Sequence, residues 1–243
     1  MSTTTKSPSL KRYKLVEVFR STKGEGTQAG IPMTFVRFSH CNLDCNFCDT
    51  PYSRVAVECD LHSLLDLIYN KPNTPAWVVF TGGEPLLQLD EHVTSALKKD
   101  GIRMAIETNG MIWKECLRDI DYINVSPKAF VPLEKRMAPQ LIDAHDAAAL
   151  TIDEIRHIII NPTDVMVPLP KLTRPPTWHT LSPLMHEPTE LPDVWQSGDG
   201  HPSMCAIPDT AAMRRTLELL QRYTEEGYNV RLSLQTHRFI GVR

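Results

Sequence analysis

The stretch Pro32-Met-Thr-Phe-Val-Arg-Phe38, followed by Cys41-Asn-Leu-Asp-Cys45-Asn-Phe-Cys48, joins an apolar, strand-like run to a loop with three cysteines. Three thiolates spaced so closely can converge on one soft metal centre. Structural zinc usually takes four ligands in two pairs, and the sequence has no second Cys-x-x-Cys pair. Three cysteines with an open position favour a 4Fe–4S cluster with one iron free to bind a ligand. Spacing alone also leaves open a zinc site or no metal.

Strand-like and helix-like segments alternate along the chain on both sides of this cysteine loop. Apolar runs of strand length occupy residues 15–19, 32–38, 77–80, 103–107, 122–125, 154–160, 177–181 and 230–234. Helix-like segments occupy residues 60–69, 89–99, 112–117 and 210–227, with Asp60 and either Asp209 or Thr210 as N-caps. This rhythm predicts an α/β fold, a partial (β/α) barrel with a parallel sheet.

Polar loops follow several of the predicted strands. They contain residues 41–48, 81–84, 107–110 and 126–128. Ligands of such folds bind outside the carboxyl ends of the strands. We therefore expect these four loops to meet at one site.

The composition is that of an ordinary globular protein, with 42% hydrophobic and 23% charged residues among 243. The net charge of −3 gives no sign of a broad nucleic-acid-binding surface, and the apolar runs are too short to span a membrane. Residues 1–11 lack the apolar segment of a signal peptide, so we expect a flexible tail before a single domain at 12–243. Residues 162–208 are rich in proline and are predicted to form an irregular insertion.

The six cysteines, in a chain without a recognisable signal peptide, favour a reducing, cytoplasmic setting. Clustered thiols in that setting bind metal more often than they form disulfides. Cys59, Cys116 and Cys205 stand apart from the cluster, and we expect them to be buried or incidental thiols.

The cysteine spacing and the later Thr81-Gly-Gly-Glu-Pro85 resemble the motifs of the radical S-adenosylmethionine (SAM) superfamily. Further motifs narrow the resemblance to one family, the ring-contracting 7-carboxy-7-deazaguanine synthases. In chain order they are Glu17-Val-Phe19, Gly24-Glu-Gly26, Phe35-Val-Arg37, Phe47-Cys-Asp-Thr50, Glu107-Thr-Asn-Gly110, Val125-Ser-Pro-Lys-Ala129 and Leu234-Gln-Thr-His237.

The resemblance implies a set of cofactor-binding residues. It places a 4Fe–4S cluster on Cys41, Cys45 and Cys48, with SAM on the fourth iron, and Mg²⁺ on the hydroxyl of Thr50. The implied SAM contacts are Phe47, Cys48, Asp49, Gly83, Ser126, Pro127, Lys128, Leu181, Ser182, Pro183 and Leu184.

The resemblance also implies the substrate, 6-carboxy-5,6,7,8-tetrahydropterin. Its implied contacts are Thr22, Lys23, Gly24, Arg37, Thr81 and Arg243. The guanidinium fork of Arg37 suits the substrate carboxylate, and a structural ion pair is the alternative role for this residue. Lys23 and Ser182 stand where the family usually has glutamine, so Lys23 is expected to add positive charge beside the pterin.

The implied reaction is that of a carbon–nitrogen lyase in 7-deazapurine, queuosine-type biosynthesis. A flavodoxin- or ferredoxin-type donor reduces the cluster, and a radical derived from SAM removes hydrogen from the pterin. A magnesium-assisted rearrangement then contracts the ring with loss of ammonia. No side chain is assigned as a catalytic acid or base, and Glu84 and His237 are interpreted as positioning groups. A homodimer is expected, without a membrane or direct nucleic-acid partner.

Two alternatives stay open at this point. One is a different radical SAM enzyme, such as an activase or a maturase. The other is a non-enzymatic module that binds structural zinc.

Overall fold

The computed structural model describes residues 11–48, 50–69, 76–186 and 207–239. The predicted tail lies outside these ranges except for Lys11, which is held by an ion pair with Asp90. Asp49, Arg243 and residues 187–206 of the predicted insertion also lie outside them.

The described residues form eleven strands and five α-helices. The strands are β1 Tyr13–Thr22, β2 Pro32–Phe38, β3 Val57–Cys59, β4 Trp77–Gly82, β5 Arg103–Thr108, β6 Tyr122–Val125, β7 Glu154–Ile159, β8 Trp178–Pro183, β9 Met185–His186, β10 Ile207–Pro208 and β11 Val230–Leu232. The helices are α1 Leu61–Tyr69, α2 Glu91–Lys99, α3 Pro139–Asp146, α4 Thr210–Glu225 and α5 Thr236–Phe239.

Nine of the described strands form one sheet in the order β11-β8-β7-β6-β5-β4-β2-β1-β3. The strands from β2 to β11 in this order run parallel to their neighbours, whereas β1 is antiparallel to β2 and β3. In the described part of the chain, β11 and β3 are the two edge strands, so the sheet is open. This mostly parallel, open sheet confirms the predicted partial-barrel fold.

Two predicted helix starts are confirmed by their capping bonds. The Asp60 carboxylate accepts a hydrogen bond from the Ser63 backbone N–H at 2.9 Å, and Asp209 accepts one from Ala212 N–H at 2.7 Å. Each bond satisfies a backbone donor that the first helical turn leaves unpaired. Within the described residues, no helix combines the length and apolar character that crossing a membrane requires.

The two faces of the sheet bury different side chains, because side chains alternate along each strand. The outer face carries the main core, in which Phe38, Phe80 and Ile106 pack with helix residues such as Leu64 and Leu97. The inner face has a small apolar floor made of Met33, Phe35, Trp77, Val79 and Ala105. The next inward positions towards the strand ends are polar, and they line the site described below.

Several elements differ from the sequence prediction. The strand β3 and the helices α3 and α5 were not predicted, and the predicted helix at 112–117 is a 3-10 turn at Glu115–Asp119. The start of α3 carries no side-chain cap, since Ala138 occupies the N-cap position. The turn is short because β6 begins at Tyr122, only three residues after it.

Candidate active site

The predicted strand-end loops converge on one cavity at the carboxyl ends of the parallel strands. The predicted site residues that line it are Thr22, Lys23, Gly24, Arg37, Cys41, Cys45, Phe47, Cys48, Thr50, Thr81, Gly83, Ser126, Lys128, Ser182, Pro183 and Leu184. Asp49 and Arg243 lie outside the described residues. Pro127 and Leu181 do not line the cavity, and their SAM contacts stay predictions.

The side chain of Leu181 packs into the core, so a SAM contact of this residue would have to use its backbone. It is fully buried against Leu219 and Tyr223 of α4. Side chains alternate along β8, so the neighbouring Ser182 faces the cavity instead. Leu181 therefore holds α4 against the sheet.

The three cysteines lie on the cavity wall with different exposures. Cys41 and Cys45 are half-buried, and Cys48 is exposed. The loop is shaped by hydrogen bonds from Leu43 N–H to the Cys41 sulfur at 3.4 Å and from Cys48 N–H to the Cys45 carbonyl at 3.1 Å. Burial raises the pKa of Cys45, and the charge of Lys128 opposes that effect. A cation at this position favours the thiolate form that binds metal.

The arrangement of the thiols suits a multi-iron cluster. Among the described residues, no three His, Cys, Asp or Glu side chains meet closely enough to hold a single metal ion. A 4Fe–4S cluster binds each cysteine through a different iron, so its ligands surround a volume rather than one point. Cys41, Cys45 and Cys48 all border the same cavity, and they fit such a cluster in residue type and placement.

The glycines at the end of β4 allow the strand to approach the cysteine loop closely. A Cβ atom on Gly83 would lie 1.9 Å from the carbonyl oxygen of His40. Gly82 has a φ of +116°, and a Cβ there would lie 2.1 Å from the carbonyl oxygen of Phe38. The close packing is fixed by hydrogen bonds from Gly83 N–H to Phe38 O and from Glu84 N–H to His40 O. A larger residue at Gly83 would displace the cysteine loop, and one at Gly82 would displace the end of β2.

Glu84 is fully buried and acts as an anchor between loops. Its carboxylate accepts hydrogen bonds from Leu86 N–H at 3.0 Å, Asn109 N–H at 2.8 Å and the Thr108 hydroxyl at 2.8 Å. Asn109 in turn donates its side-chain amide to Asn42 of the cysteine loop at 2.7 Å. Glu84 therefore ties the end of β5 to the cysteine loop, in agreement with its interpretation as a positioning group.

Arg37 forms a structural ion pair, the alternative role considered for it above. Its side chain also borders the cavity. Its Nε donates to Glu17 at 3.1 Å, and its Nη1 donates to the Thr50 hydroxyl at 3.2 Å. The guanidinium lies over the Phe19 ring at 5.7 Å. These bonds fix the orientation of the fork, so the two predicted roles of Arg37 are compatible.

A buried network of charges forms one wall of the cavity. Lys23 pairs with Glu107, and Arg156 bonds Glu107 at 3.1 Å, Glu154 at 3.1 Å and also Glu25. Burial lowers the pKa of Arg156, but the three carboxylates outweigh burial and raise that pKa above its ordinary value. The positive charge that Lys23 brings to the site is therefore balanced by Glu107.

Arg156 and the acidic residues of this network were not predicted as site residues. A signal for Arg156 existed, because it stands within the apolar run of β7 as Arg37 stands within β2. Glu107 belongs to the family motif Glu107-Thr-Asn-Gly110, but nothing in the sequence showed that its carboxylate would bond both Lys23 and Arg156.

The loop between β1 and β2 is held by the C-terminal part of the described chain. Thr236 donates both its backbone N–H, at 2.8 Å, and its hydroxyl, at 2.9 Å, to the Gly24 carbonyl. Gly26 N–H donates to the Ser233 hydroxyl at 2.9 Å, and Thr27 N–H donates to Glu154 at 3.1 Å. These bonds fix the backbone of the predicted substrate loop relative to β7 and β11.

Lys128 is a further cation that lines the cavity. Its ammonium donates to the Ser126 hydroxyl at 2.8 Å and forms no ion pair with a carboxylate among the described residues. Burial lowers its pKa, and the nearby cysteines oppose this effect. A cation so placed can balance the negative charge of a thiolate-bound cluster or of a ligand carboxylate.

Comparison with known proteins agrees with this geometry. The family model of the radical SAM superfamily matches residues 35–182. The chain is 39% identical over 132 residues to 7-carboxy-7-deazaguanine synthase from Haemophilus influenzae, an alignment that covers 52% of this chain and 59% of that protein. The enzyme of the same name from Bacteroides thetaiotaomicron is 33% identical over 153 residues, covering 61% of this chain and 81% of the relative.

Among solved structures, QueE from Escherichia coli has the same fold. The superposition has a TM-score of 0.62 and 23% sequence identity, and it covers 93% of this chain and 95% of that one. The chain aligns with less than two thirds of the length of the Haemophilus relative, although it covers most of the Bacteroides one. The sequence matches and the site together show that the chain belongs to the radical SAM superfamily and, within it, to the 7-carboxy-7-deazaguanine synthase family.

Proposed function

We propose that this protein contracts the ring of 6-carboxy-5,6,7,8-tetrahydropterin to give 7-carboxy-7-deazaguanine and ammonia, as a carbon–nitrogen lyase. The observation that carries the proposal is the convergence of the cysteine loop, the Gly82–Gly83 strand end and the charged network of Glu107 and Arg156 on one cavity. The cysteines that would hold the cluster and the charged side chains that would bind the substrate thus line the same cavity.

Cys41, Cys45 and Cys48 would hold the 4Fe–4S cluster, and Gly83, Ser126 and Lys128 would hold SAM. Together, the reduced cluster and SAM supply the radical that starts the reaction. Gly83 has no side chain between the strand end and the cysteine loop, so the backbone there can approach the methionyl part of SAM. The Lys128 ammonium would balance the charge on the cluster side of the cavity.

Arg37 would bind the substrate carboxylate. Its guanidinium is already oriented by Glu17 and Thr50, so less side-chain freedom is lost when the substrate binds. Thr50 lies beside it and would supply one oxygen ligand to Mg²⁺, an ion that commonly takes few protein ligands and fills its shell with water and substrate oxygens. The carboxylate and Mg²⁺ would then be held side by side.

The charged wall of the cavity would bind and orient the rest of the pterin. Glu25 and Glu107 would offer carboxylate oxygens to ring N–H groups. Arg156 holds both carboxylates in place, and Lys23 pairs with Glu107. The protein contributes binding, orientation and exclusion of side reactions, and the cofactors contribute the bond-breaking chemistry. We further propose a flavodoxin- or ferredoxin-type electron donor, a cytoplasmic location and a homodimeric assembly.

The test is anaerobic reconstitution with iron and sulfide, followed by incubation with dithionite, SAM, Mg²⁺ and 6-carboxytetrahydropterin. Formation of 7-carboxy-7-deazaguanine supports the proposal, and omission of Mg²⁺ should slow it. An intact cluster that cleaves SAM without forming this product would identify a different radical SAM enzyme. A colourless protein that retains zinc after anaerobic preparation would point to a structural module.

A further inference from the structure

Asn124 occupies the middle of the polar layer on the inner face of the sheet. It lies on β6, in register with Glu107 on β5 and with Glu154 on β7. Its side chain borders the cavity, and the residue is only 2% exposed. Asn124 is therefore surrounded by side chains that point into the site.

The side-chain oxygen of Asn124 is unpaired within the described part of the chain. Its Oδ1 atom is buried and has no hydrogen-bond partner among the described residues. Buried side-chain amides normally have partners, because an unpaired donor or acceptor loses its bonds to water without replacement. The amide presents one acceptor and one donor group whichever way it is flipped.

The acidic neighbours of Asn124 accept hydrogen bonds from other side chains. Glu154 accepts from the Tyr122 hydroxyl at 2.8 Å and the Thr180 hydroxyl at 2.7 Å, and Glu107 accepts from Thr81 at 2.9 Å. These bonds hold the neighbouring side chains in place. The strand register therefore fixes Asn124 in the cavity wall, where its unpaired Oδ1 can accept a hydrogen bond from a bound molecule.

We infer that Asn124 binds the substrate through the pyrimidinone ring of the pterin, a conclusion that rests on the proposed function. That ring has a lactam edge, on which an N–H donor stands beside a carbonyl acceptor. A side-chain amide offers the complementary acceptor and donor on its own edge. The match resembles the paired contacts that Asn makes with adenine edges in nucleic acids.

The position of Asn124 along β6 favours the pterin over SAM. It lies two residues before Ser126, on the side of the apolar floor, whereas the SAM contacts proposed on this strand lie beyond its end. Its register partner Glu107 is bonded to Lys23 and Thr81, two of the proposed substrate residues. Asn124 therefore belongs to the substrate side of the cavity.

The test compares Asn124→Leu with the unchanged protein, both reconstituted with cluster. We expect the KM for carboxytetrahydropterin to rise at least about tenfold, the effect of losing a buried hydrogen bond. The dissociation constant for SAM and the iron content should not change. The melting temperature should stay equal or rise, because the leucine removes an unpaired buried polar group. Asn124→Ala repeats the measurement with a smaller side chain, in case the leucine does not fit.

Ile123→Val is the matched control on the same strand. Ile123 is 1% exposed and packs in the outer core, on the opposite face of the sheet. This variant should lower the melting temperature and leave the KM unchanged.

The outcomes separate this inference from the proposed function. Turnover by the unchanged protein, with an unaltered KM in both Asn124 variants, overturns the inference alone. A loss of SAM affinity in place of the rise in KM also overturns it and assigns Asn124 to the nucleoside. Absence of product with the unchanged protein overturns both, since the inference names the pterin as the ligand.

Discussion

Lys23 and Glu107 form a buried ion pair that joins the loop after β1 to the end of β5, with side chains 5% and 22% exposed. Burial by itself raises the pKa of Glu107. The charges of Lys23 and Arg156, together with hydrogen bonds from Lys23 and Thr81, outweigh burial and hold that pKa well below its usual range. The unfolded chain therefore binds a proton more readily at Glu107 than the folded protein does, and this pair stabilises the fold above about pH 4.3 and less as the pH falls.

The first prediction concerns this pair. Lys23→Met should lower the free energy of unfolding at pH 7 by about 2–3 kcal/mol. Removing the sole partner of a buried charge typically costs about 3–5 kcal/mol. The cost here should be smaller, because Arg156 and Thr81 still bond Glu107. Urea denaturation of Lys23→Met, Glu107→Gln and the double variant measures the effect, and the two changes should couple by about 1 kcal/mol or more.

The matched control is the exposed pair of Lys98 and Asp119, whose nitrogen and oxygen lie 2.7 Å apart with the lysine 61% exposed. Lys98→Met should cost less than about 1 kcal/mol, since exposed pairs are screened by water. Equal costs at Lys23 and Lys98, or strictly additive changes at Lys23 and Glu107, contradict the interpretation of the network as a buried structural unit.

The sequence predicted the fold class and most of the parallel strands because apolar runs and polar strand-end loops are local patterns. The sequence also predicted correctly that Cys41 and Gly83 lie at the same cavity. It did not predict α3, whose start carries no side-chain cap. Local patterns contain no signal for a bond between residues far apart in the chain, so the contact of Lys23 with Glu107, 84 residues away, could not be read from them.

The same limit applies to side-chain direction. The prediction of contacts at 181–184 did not distinguish side-chain directions, and alternation along β8 places the side chain of Leu181 in the core and that of Ser182 at the cavity. Arg156 could have been noticed as a charge within an apolar strand. Its three carboxylate partners come from β5, β7 and the loop after β1, and they become neighbours only in the folded sheet.

The second prediction concerns the close approach at Gly83. Gly83→Ala should displace the cysteine loop, because the added Cβ would lie 1.9 Å from the His40 carbonyl oxygen, a backbone atom that cannot move alone. We expect less iron per chain after reconstitution and weaker SAM binding. Gly101→Ala is the control, since Gly101 has a φ of +72° and open space around its Cβ position. It should cost about 1 kcal/mol of stability and leave the iron content unchanged, and equal iron loss in both variants would rule out a specific role for Gly83.

The third prediction concerns two buried histidines on β7 and β8. Val167 N–H donates to His157 Nδ1 at 2.9 Å, so His157 carries its proton on Nε2 and donates it to His179 Nδ1 at 3.0 Å. Burial, with a smaller contribution from His179, lowers the pKa of His157 to about 3, and burial lowers that of His179 to about 4. Both rings are therefore neutral in the folded protein at pH 7.

Protonation of this pair should destabilise the protein at acidic pH. In the unfolded chain both rings titrate near pH 6.5. Stability from this pair is present above about pH 6.5 and is lost as the pH falls towards 4, by up to about 1.4 kcal/mol per pH unit for each ring. The variant His157→Asn/His179→Asn keeps acceptor atoms without titrating. Its free energy of unfolding should depend less steeply on pH in this window, and an unchanged slope would show that other groups cause the acid sensitivity.

The fourth prediction concerns Arg37. Arg37→Lys keeps the positive charge but loses the planar fork that bonds Glu17 and Thr50. We expect the KM for carboxytetrahydropterin to rise at least about tenfold, with SAM binding and iron content unchanged. Arg136→Lys is the control, because Arg136 bonds the backbone carbonyls of Ala129, Val131 and Pro168. A similar rise in KM in both variants would mean that Arg37 acts through stability and not through the substrate carboxylate.

The fifth prediction tests the cluster ligands against a thiol from the core. Cys45→Ala should lose the brown colour, most of the iron and acid-labile sulfide, and all activity, since two thiolates hold the cluster poorly. Cys59→Ala should keep full cluster loading, because Cys59 is 5% exposed and packs in the main core, where its loss removes apolar contact and one weak hydrogen bond to the Tyr13 carbonyl. The measurements are the iron content, the sulfide content and the visible absorption of both variants after identical reconstitution. They decide whether Cys45 is a cluster ligand. Full loading of Cys45→Ala would show that the cluster takes a different third ligand.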